Sequence, residues 1–126
     1  GDDAAKMEVL EAYTSVSGDT NKSWIVSTLM EAWPEDDEVR RLLSGEFSRP
    51  PGEVAFLSSW IDPFVPDPQI RRFWLLEALK HSDKRTVRAP VHRLLVEFGD
   101  EECVKAVRAT LEKTSGIMIR LTYKTN

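Results

Sequence analysis

Side chains able to do chemistry are few and scattered in this 126-residue sequence. The single thiol, Cys103, would be a nucleophile only as a thiolate, and the neighbouring Glu101 and Glu102 oppose that ionisation. His81 and His92 have no cysteine or histidine companion at a spacing suited to a metal ion. These residue types therefore predict a packed cysteine and no metal site.

Adjacent carboxylates could serve as a catalytic acid and base, and two such pairs occur, Asp36 with Asp37 and Glu101 with Glu102. Each pair stands where a helix is expected to begin, and capping of the backbone N–H groups explains it more simply. The glycines are isolated, so no glycine-rich phosphate loop is present. The sequence predicts no catalytic residue, no cofactor and no enzymatic activity.

Two groups of residues are better suited to binding a partner. Basic side chains concentrate between residues 71 and 93, and on successive antiparallel helices they could align into a ridge. The alternative is a solvated face with internal arginine–aspartate bonds. Apolar residues also cluster in "WIDPFV", residues 60 to 65, between prolines. The candidate partner-binding residues are Arg71, Arg72, Lys84, Arg85, Arg88, Arg93, Trp60 and Phe64, with Lys80 beside the ridge.

Helix start signals recur about every sixteen residues and indicate which elements position these side chains. Aspartates fall at positions 19, 36, 67, 83 and 100, and Pro50 with Pro51 divides the one double interval. Between the signals, apolar residues follow helical spacing, as in Val87, Val91, Leu94, Leu95 and Phe98. We expect seven helices, near 3–16, 20–33, 37–48, 51–61, 68–81, 85–98 and 101–114.

Residues 70 to 79 are apolar nearly all round, which predicts a central helix sandwiched between its neighbours. Trp24, Trp33 and Trp74 fall on apolar stripes, so we expect them to fill gaps between helices. Pro90 is harmless if its helix begins near Thr86, and otherwise it kinks that helix.

The stretch "LKHSDKRTVRAPVHRLLVEFGDEECVKAVRATLEK", residues 79 to 113, resembles the HEAT repeat, in particular the short bilin-lyase-like variety. Val87-Arg88, Leu94 and Gly99-Asp100 fall in its register, and "PDPQIRRFWLLEAL" and "WPEDDEVRRLL" resemble its opening. Pro90 and bulky aromatics replace the small alanines of that pattern. The "EAWPEDDEVRRLL" segment also resembles the helical arrays that follow bacterial NACHT-type modules.

The resemblance implies an all-α protein, an α-solenoid of about seven antiparallel helices in HEAT-like hairpins. Residues 1–114 would form the repeat domain. Residues 115–126 would form a tail that is extended or begins a truncated repeat, with "IMIRLTY", residues 117 to 123, as an alternative strand.

Composition is typical of one globular domain, with 41% hydrophobic and 30% charged residues. No apolar run is long enough to cross a bilayer, no signal-peptide pattern opens the chain, and the lone cysteine suits a reducing cytoplasm. We expect a cytoplasmic, non-catalytic module that binds a protein or peptide segment, or another domain of its parent chain, as part of a longer array.

Two other functions are alternatives for this sequence. One is nucleic-acid binding, as in the HEAT-like DNA glycosylases, which the basic ridge favours and the pI of 5.2 opposes. The other is bilin attachment or related lyase work, implied only by the relatedness of the repeat.

Overall fold

The structure, a computed structural model, describes residues 2–116, 120 and 122–124. These residues form six α-helices and two short 3-10 helices and contain no strand, so the expected all-α class is confirmed. The 3-10 helices are Pro51–Glu53 and Ala55–Trp60. The α-helices are α1 (Asp3–Ser15), α2 (Asp19–Ala32), α3 (Asp37–Phe47), α4 (Pro68–Lys80), α5 (Arg88–Glu97) and α6 (Glu101–Ser115).

The chain divides into two compact units, Gly1–Glu46 and Phe47–Asn126. Their charges differ in sign. Residues 1–46 carry eleven acidic and four basic side chains, a net charge of −7, and residues 47–126 carry ten and thirteen, a net charge of +3. The sum is the −4 of the whole chain. Within the described residues, no helix is both long and apolar enough to cross a membrane.

Aspartate caps begin three of the helices as expected. Asp67 accepts hydrogen bonds from the backbone N–H groups of Gln69 and Ile70, and Pro68 takes the first helical position, where its missing N–H is not needed. Asp36 and Asp100 accept in the same way at the starts of α3 and α6.

Two of the expected caps differ from the prediction. Asp19 is itself the first residue of α2, and Gly18 precedes it as the capping residue. Asp83 accepts from the backbone N–H groups of Arg85 and Thr86, so it closes a turn and α5 begins only at Arg88. This late start places Pro90 in the first turn of α5, where its ring disrupts no preceding helical turn.

In the first unit, the side chain of Lys6 is 8% exposed and lies among carboxylates. Its Nζ is 2.8 Å from Asp36 Oδ2 and 3.3 Å from Glu38 Oε1. The hydrogen bond with Lys6 lowers the pKa of the Asp36 carboxyl, and the backbone N–H of Val39 acts in the same direction. Asp36 thus both caps α3 and ties that helix to α1.

In the second unit, α4 is the central element, because it contacts α5, α6 and both 3-10 helices. One face of α4 is buried and includes Trp74, Leu75, Ala78 and Leu79. The Trp74 ring lies 5.3 Å from that of Phe47, which in turn stacks on Phe64 at 5.2 Å. The central position expected for this helix is therefore confirmed within the unit.

The expected burial of α4 on all sides is wrong. Ile70 is 59% exposed and Phe73 is 66% exposed, so the helix has an open apolar face. The predicted burial of Trp24 is also wrong, because this residue of α2 is 76% exposed. Helical spacing shows which residues share a face, but it does not show how many neighbours pack on that face.

The helix expected over residues 51–61 forms the two 3-10 segments instead. Pro50, Pro51 and Gly52 have low helix propensity. A Cβ atom on Gly52 would lie 2.5 Å from the Cβ of His81, so only glycine allows this close approach. The Ser58 hydroxyl donates to the carbonyl of Ala55 within the second segment.

Most of the expected strand or truncated helix at residues 117–123 lies outside the described residues. Of the tail, residues 120 and 122–124 have no regular secondary structure. The backbone N–H of Lys124 donates to the Gly99 carbonyl at 2.8 Å.

Replacing the Asp67 cap should destabilise the protein. Asp67→Ala is expected to lower the free energy of unfolding by about 0.5–2 kcal/mol, because two backbone N–H groups of α4 lose their acceptor. Asp67→Asn retains an acceptor and is the matched control, which we expect to remain close to wild type. Urea denaturation measures both, and equal losses for the two variants would contradict a capping role.

Trp74 and Phe73 are adjacent aromatic residues in opposite environments, so truncating each tests the orientation of α4. Trp74→Ala should cost about 3–5 kcal/mol of unfolding free energy, because it removes a buried ring. Phe73→Ala should change it by less than about 0.5 kcal/mol. Chemical denaturation compares them, and a larger loss for Phe73→Ala would overturn this orientation.

Candidate partner-binding site

An open apolar groove lies between α5 and α6 and has a volume of about 350 Å³. This volume falls within the range of small-molecule and peptide pockets. Its walls are almost entirely aliphatic, and two polar side chains stand among them. The lining residues are Val87, Arg88, Val91, His92, Leu95, Val96 and Leu111.

The spacing of α5 explains why these residues meet. Val87, Val91 and Leu95 are four residues apart and share a helix face, and Leu111 of α6 lies opposite them. The sequence predicts that this face is buried. Val87 and Leu94 are buried as expected, but Val91 and Leu95 remain half-buried. The 58% exposed Val96 extends the apolar surface. The stripe was correctly identified, and its incomplete burial leaves the groove.

The basic residues expected in the ridge separate into two groups. Arg71 and Arg93 both bind the carboxylate of Glu97, with Arg71 Nε 2.8 Å from Oε1 and Arg93 Nη2 3.0 Å from Oε2. Arg93 also pairs with Asp62.

Arg72 makes a bidentate contact with Asp100, with Nη2 2.9 Å from each carboxylate oxygen, and a second contact with Glu102. All three arginines make internal ion pairs. Those of Arg71 and Arg72 join α4 to α5 and α6, and one made by Arg93 joins α5 to Asp62.

The remaining predicted cations lie at the start of α5. Lys84, Arg85 and Arg88 are exposed, and none of the ion pairs within the described part of the chain uses them. Lys84 and Arg85 belong to the turn before α5, and Arg88 lines the groove. Lys80 is also exposed, at the end of α4. Arg88 therefore places an exposed cation in the wall of the groove, and Lys84 and Arg85 precede it along the chain.

The two aromatic candidates, Trp60 and Phe64, are partly packed against the protein. Phe64 is half-buried and stacks on Phe47, and Trp60 is half-buried at the end of the second 3-10 helix. Ile61, between them, is fully buried. The segment from residue 60 to 65 thus contributes to the core around α4.

Among the described residues, other groups that could do chemistry are the Cys103 thiol and the Glu77–His81 pair, whose Oε2 and Nε2 atoms are 3.9 Å apart. Burial raises the pKa of the Cys103 thiol to about 11, which opposes a reactive thiolate. A second concavity of about 350 Å³ lies between Pro50–Glu53 and the end of α4, with Glu77 and His81 in its wall. The described residues contain no group of three histidine, cysteine or acidic side chains placed to hold a metal ion.

Glu97 joins two arginines, and its ionisation should therefore contribute to stability. Hydrogen bonding from Arg71 lowers the pKa of the Glu97 carboxyl, although burial opposes the shift. A lowered folded-state pKa stabilises the fold above the ordinary value of 4.5, and this contribution is lost as pH falls through the lowered value.

We expect Glu97→Gln to reduce the free energy of unfolding by about 1–3 kcal/mol at neutral pH. The difference from wild type should shrink as the pH falls below 4.5. Urea denaturation across this pH range measures it. Glu101→Gln is the matched control, since Glu101 is exposed and its ion pair among the described residues is with the exposed Lys105. A Glu97→Gln deficit that does not change with pH would contradict the ionic role.

Comparison of the chain with models of protein families, with curated protein sequences and with solved structures gives no match.

Proposed function

We propose that this chain is a non-catalytic protein-interaction module that binds a peptide segment in the groove between α5 and α6. The observation that carries the proposal is the groove itself, an open aliphatic surface with the exposed Arg88 in its wall. Exposed apolar surface bordered by charge is typical of protein-recognition sites. The groove is lined by residues of two consecutive helices, and we infer that the chain is a HEAT-like α-solenoid acting in the cytoplasm as part of a longer array.

The proposed ligand is a segment of another protein or of another domain of the parent chain. Its apolar side chains would pack against Val91, Leu95 and Val96 and remove that surface from water. No reacting group is needed for this role, and the buried, high-pKa thiol of Cys103 suits a structural position.

Nucleic-acid binding is less well supported than peptide binding. Phosphate recognition depends on several free cations acting together, and the charges of Arg71, Arg72 and Arg93 are already compensated by carboxylates. The chain as a whole is acidic, with a net charge of −4. We therefore expect at most feeble binding of duplex DNA near physiological salt.

Selection from a random-peptide phage library tests the proposed function. We expect clones that bind the protein and lose about tenfold in affinity on Val96→Asn, because a polar amide replaces an apolar wall of the groove. Ile70→Asn is the matched control, since Ile70 is equally exposed on α4 and does not line the groove. Circular dichroism verifies that both variants fold.

Two outcomes would contradict this proposal. One is that no clone distinguishes Val96→Asn from Ile70→Asn. The other is submicromolar binding of duplex DNA with a steep dependence on salt, which would favour the nucleic-acid function.

A further inference from the structure

Basic side chains outnumber acidic ones at the start of α5, next to the α5–α6 groove. Lys84 and Arg85 lie in the turn that leads into α5, and Arg88 lies in its first turn and in the groove wall. All three are exposed, and no carboxylate of the described residues lies within ion-pair distance of them, although the Asp83 carboxylate interacts electrostatically with Arg85. Elsewhere in the same unit, Arg71, Arg72 and Arg93 have carboxylate partners. Arg88 is thus an exposed cation in the groove wall that forms no ion pair with a described carboxylate.

The backbone at the start of α5 also carries partial positive charge. Val87, the capping residue of α5, supplies no side-chain hydrogen bond to the first turn. The N-terminus of a helix carries a partial positive charge, which adds to the charges of the three side chains. Asp83, the nearest acidic residue along the chain, uses its carboxylate on the backbone N–H groups of Arg85 and Thr86.

We propose that the groove selects acidic amphipathic segments, with two or three apolar residues next to carboxylates that face the start of α5. This inference rests on the proposed peptide-binding function and specifies its ligand class. The aliphatic floor accepts the apolar residues, and Lys84, Arg85 and Arg88 pair with the carboxylates. Rim charges of this kind act mainly on specificity and on the rate of association.

The size of the groove limits the apolar part of the ligand. A volume of about 350 Å³ accommodates a few side chains and not a whole domain. A short segment held by few apolar contacts depends more on its charges for orientation, and a basic segment would be repelled by the exposed cations.

The composition of groove-dependent clones tests the inference separately from the function. Among clones that discriminate Val96→Asn from Ile70→Asn, we expect enrichment of aspartate and glutamate beside the apolar residues. Groove-dependent clones that are neutral or basic would overturn the inference and leave the proposed function intact. Absence of groove-dependent clones would overturn both.

Charge reversal then tests the role of the rim. With a synthetic peptide from an enriched clone, Arg88→Glu should weaken binding about fivefold to tenfold. The matched control is Arg41→Glu, which reverses an exposed arginine of α3 in the other unit and should leave affinity unchanged. Fluorescence anisotropy measures both, and equal effects of the two reversals would contradict a local pairing.

A reciprocal exchange excludes a general effect of net charge. A peptide in which lysine replaces the carboxylates should bind Arg88→Glu more tightly than it binds the wild type. The affinity of the original peptide should also fall as salt rises, since exposed ion pairs are screened. If the lysine peptide prefers the wild type, the carboxylates do not face Arg88 and the proposal is wrong.

Discussion

Burial of one face of α4 is the constraint on which the second unit depends. Trp74, Leu75, Ala78 and Leu79 lie on that face, and α4 contacts α5, α6 and both 3-10 helices. Burying large apolar side chains contributes the main favourable term in folding. The Asp67 cap sets where the helix begins by accepting the backbone N–H groups of Gln69 and Ile70. The groove between α5 and α6 exists because both helices are held against α4.

The charged groups of the second unit fall into two sets. Some arginines pair with carboxylates inside the protein, and other cations are exposed at the start of α5. The carboxylates of Glu97 and Asp100 each bind arginines of α4, and these contacts hold the three helices in register. Each carboxylate has a lowered pKa, from the Arg71 hydrogen bond at Glu97 and mainly from the backbone N–H of Cys103 at Asp100. The exposed cations before and within the first turn of α5 form no ion pair with a described carboxylate, although Arg85 interacts electrostatically with Asp83.

The first unit shows how one residue can satisfy two requirements. Asp36 accepts the backbone N–H groups at the start of α3 and also binds the ammonium of the buried Lys6. A buried ammonium without a carboxylate would be strongly destabilising. Tyr13 provides a further tie through its hydroxyl, which donates to Glu46 at 2.7 Å. Polar contacts between helices thus supplement a small apolar core.

Local sequence determined the helical class, most helix starts and the apolar stripes, because capping and periodicity depend on residues within one turn of each other. The caps at Asp36, Asp67 and Asp100 are examples. Only tertiary structure decided which stripes were covered. Trp24, Ile70 and Phe73 remain exposed, and Val91 and Leu95 are left half-buried in a groove, because burial depends on neighbours distant in sequence. Which arginines pair with carboxylates was also decided by tertiary structure, since Arg71 and Glu97 meet only when α4 packs on α5.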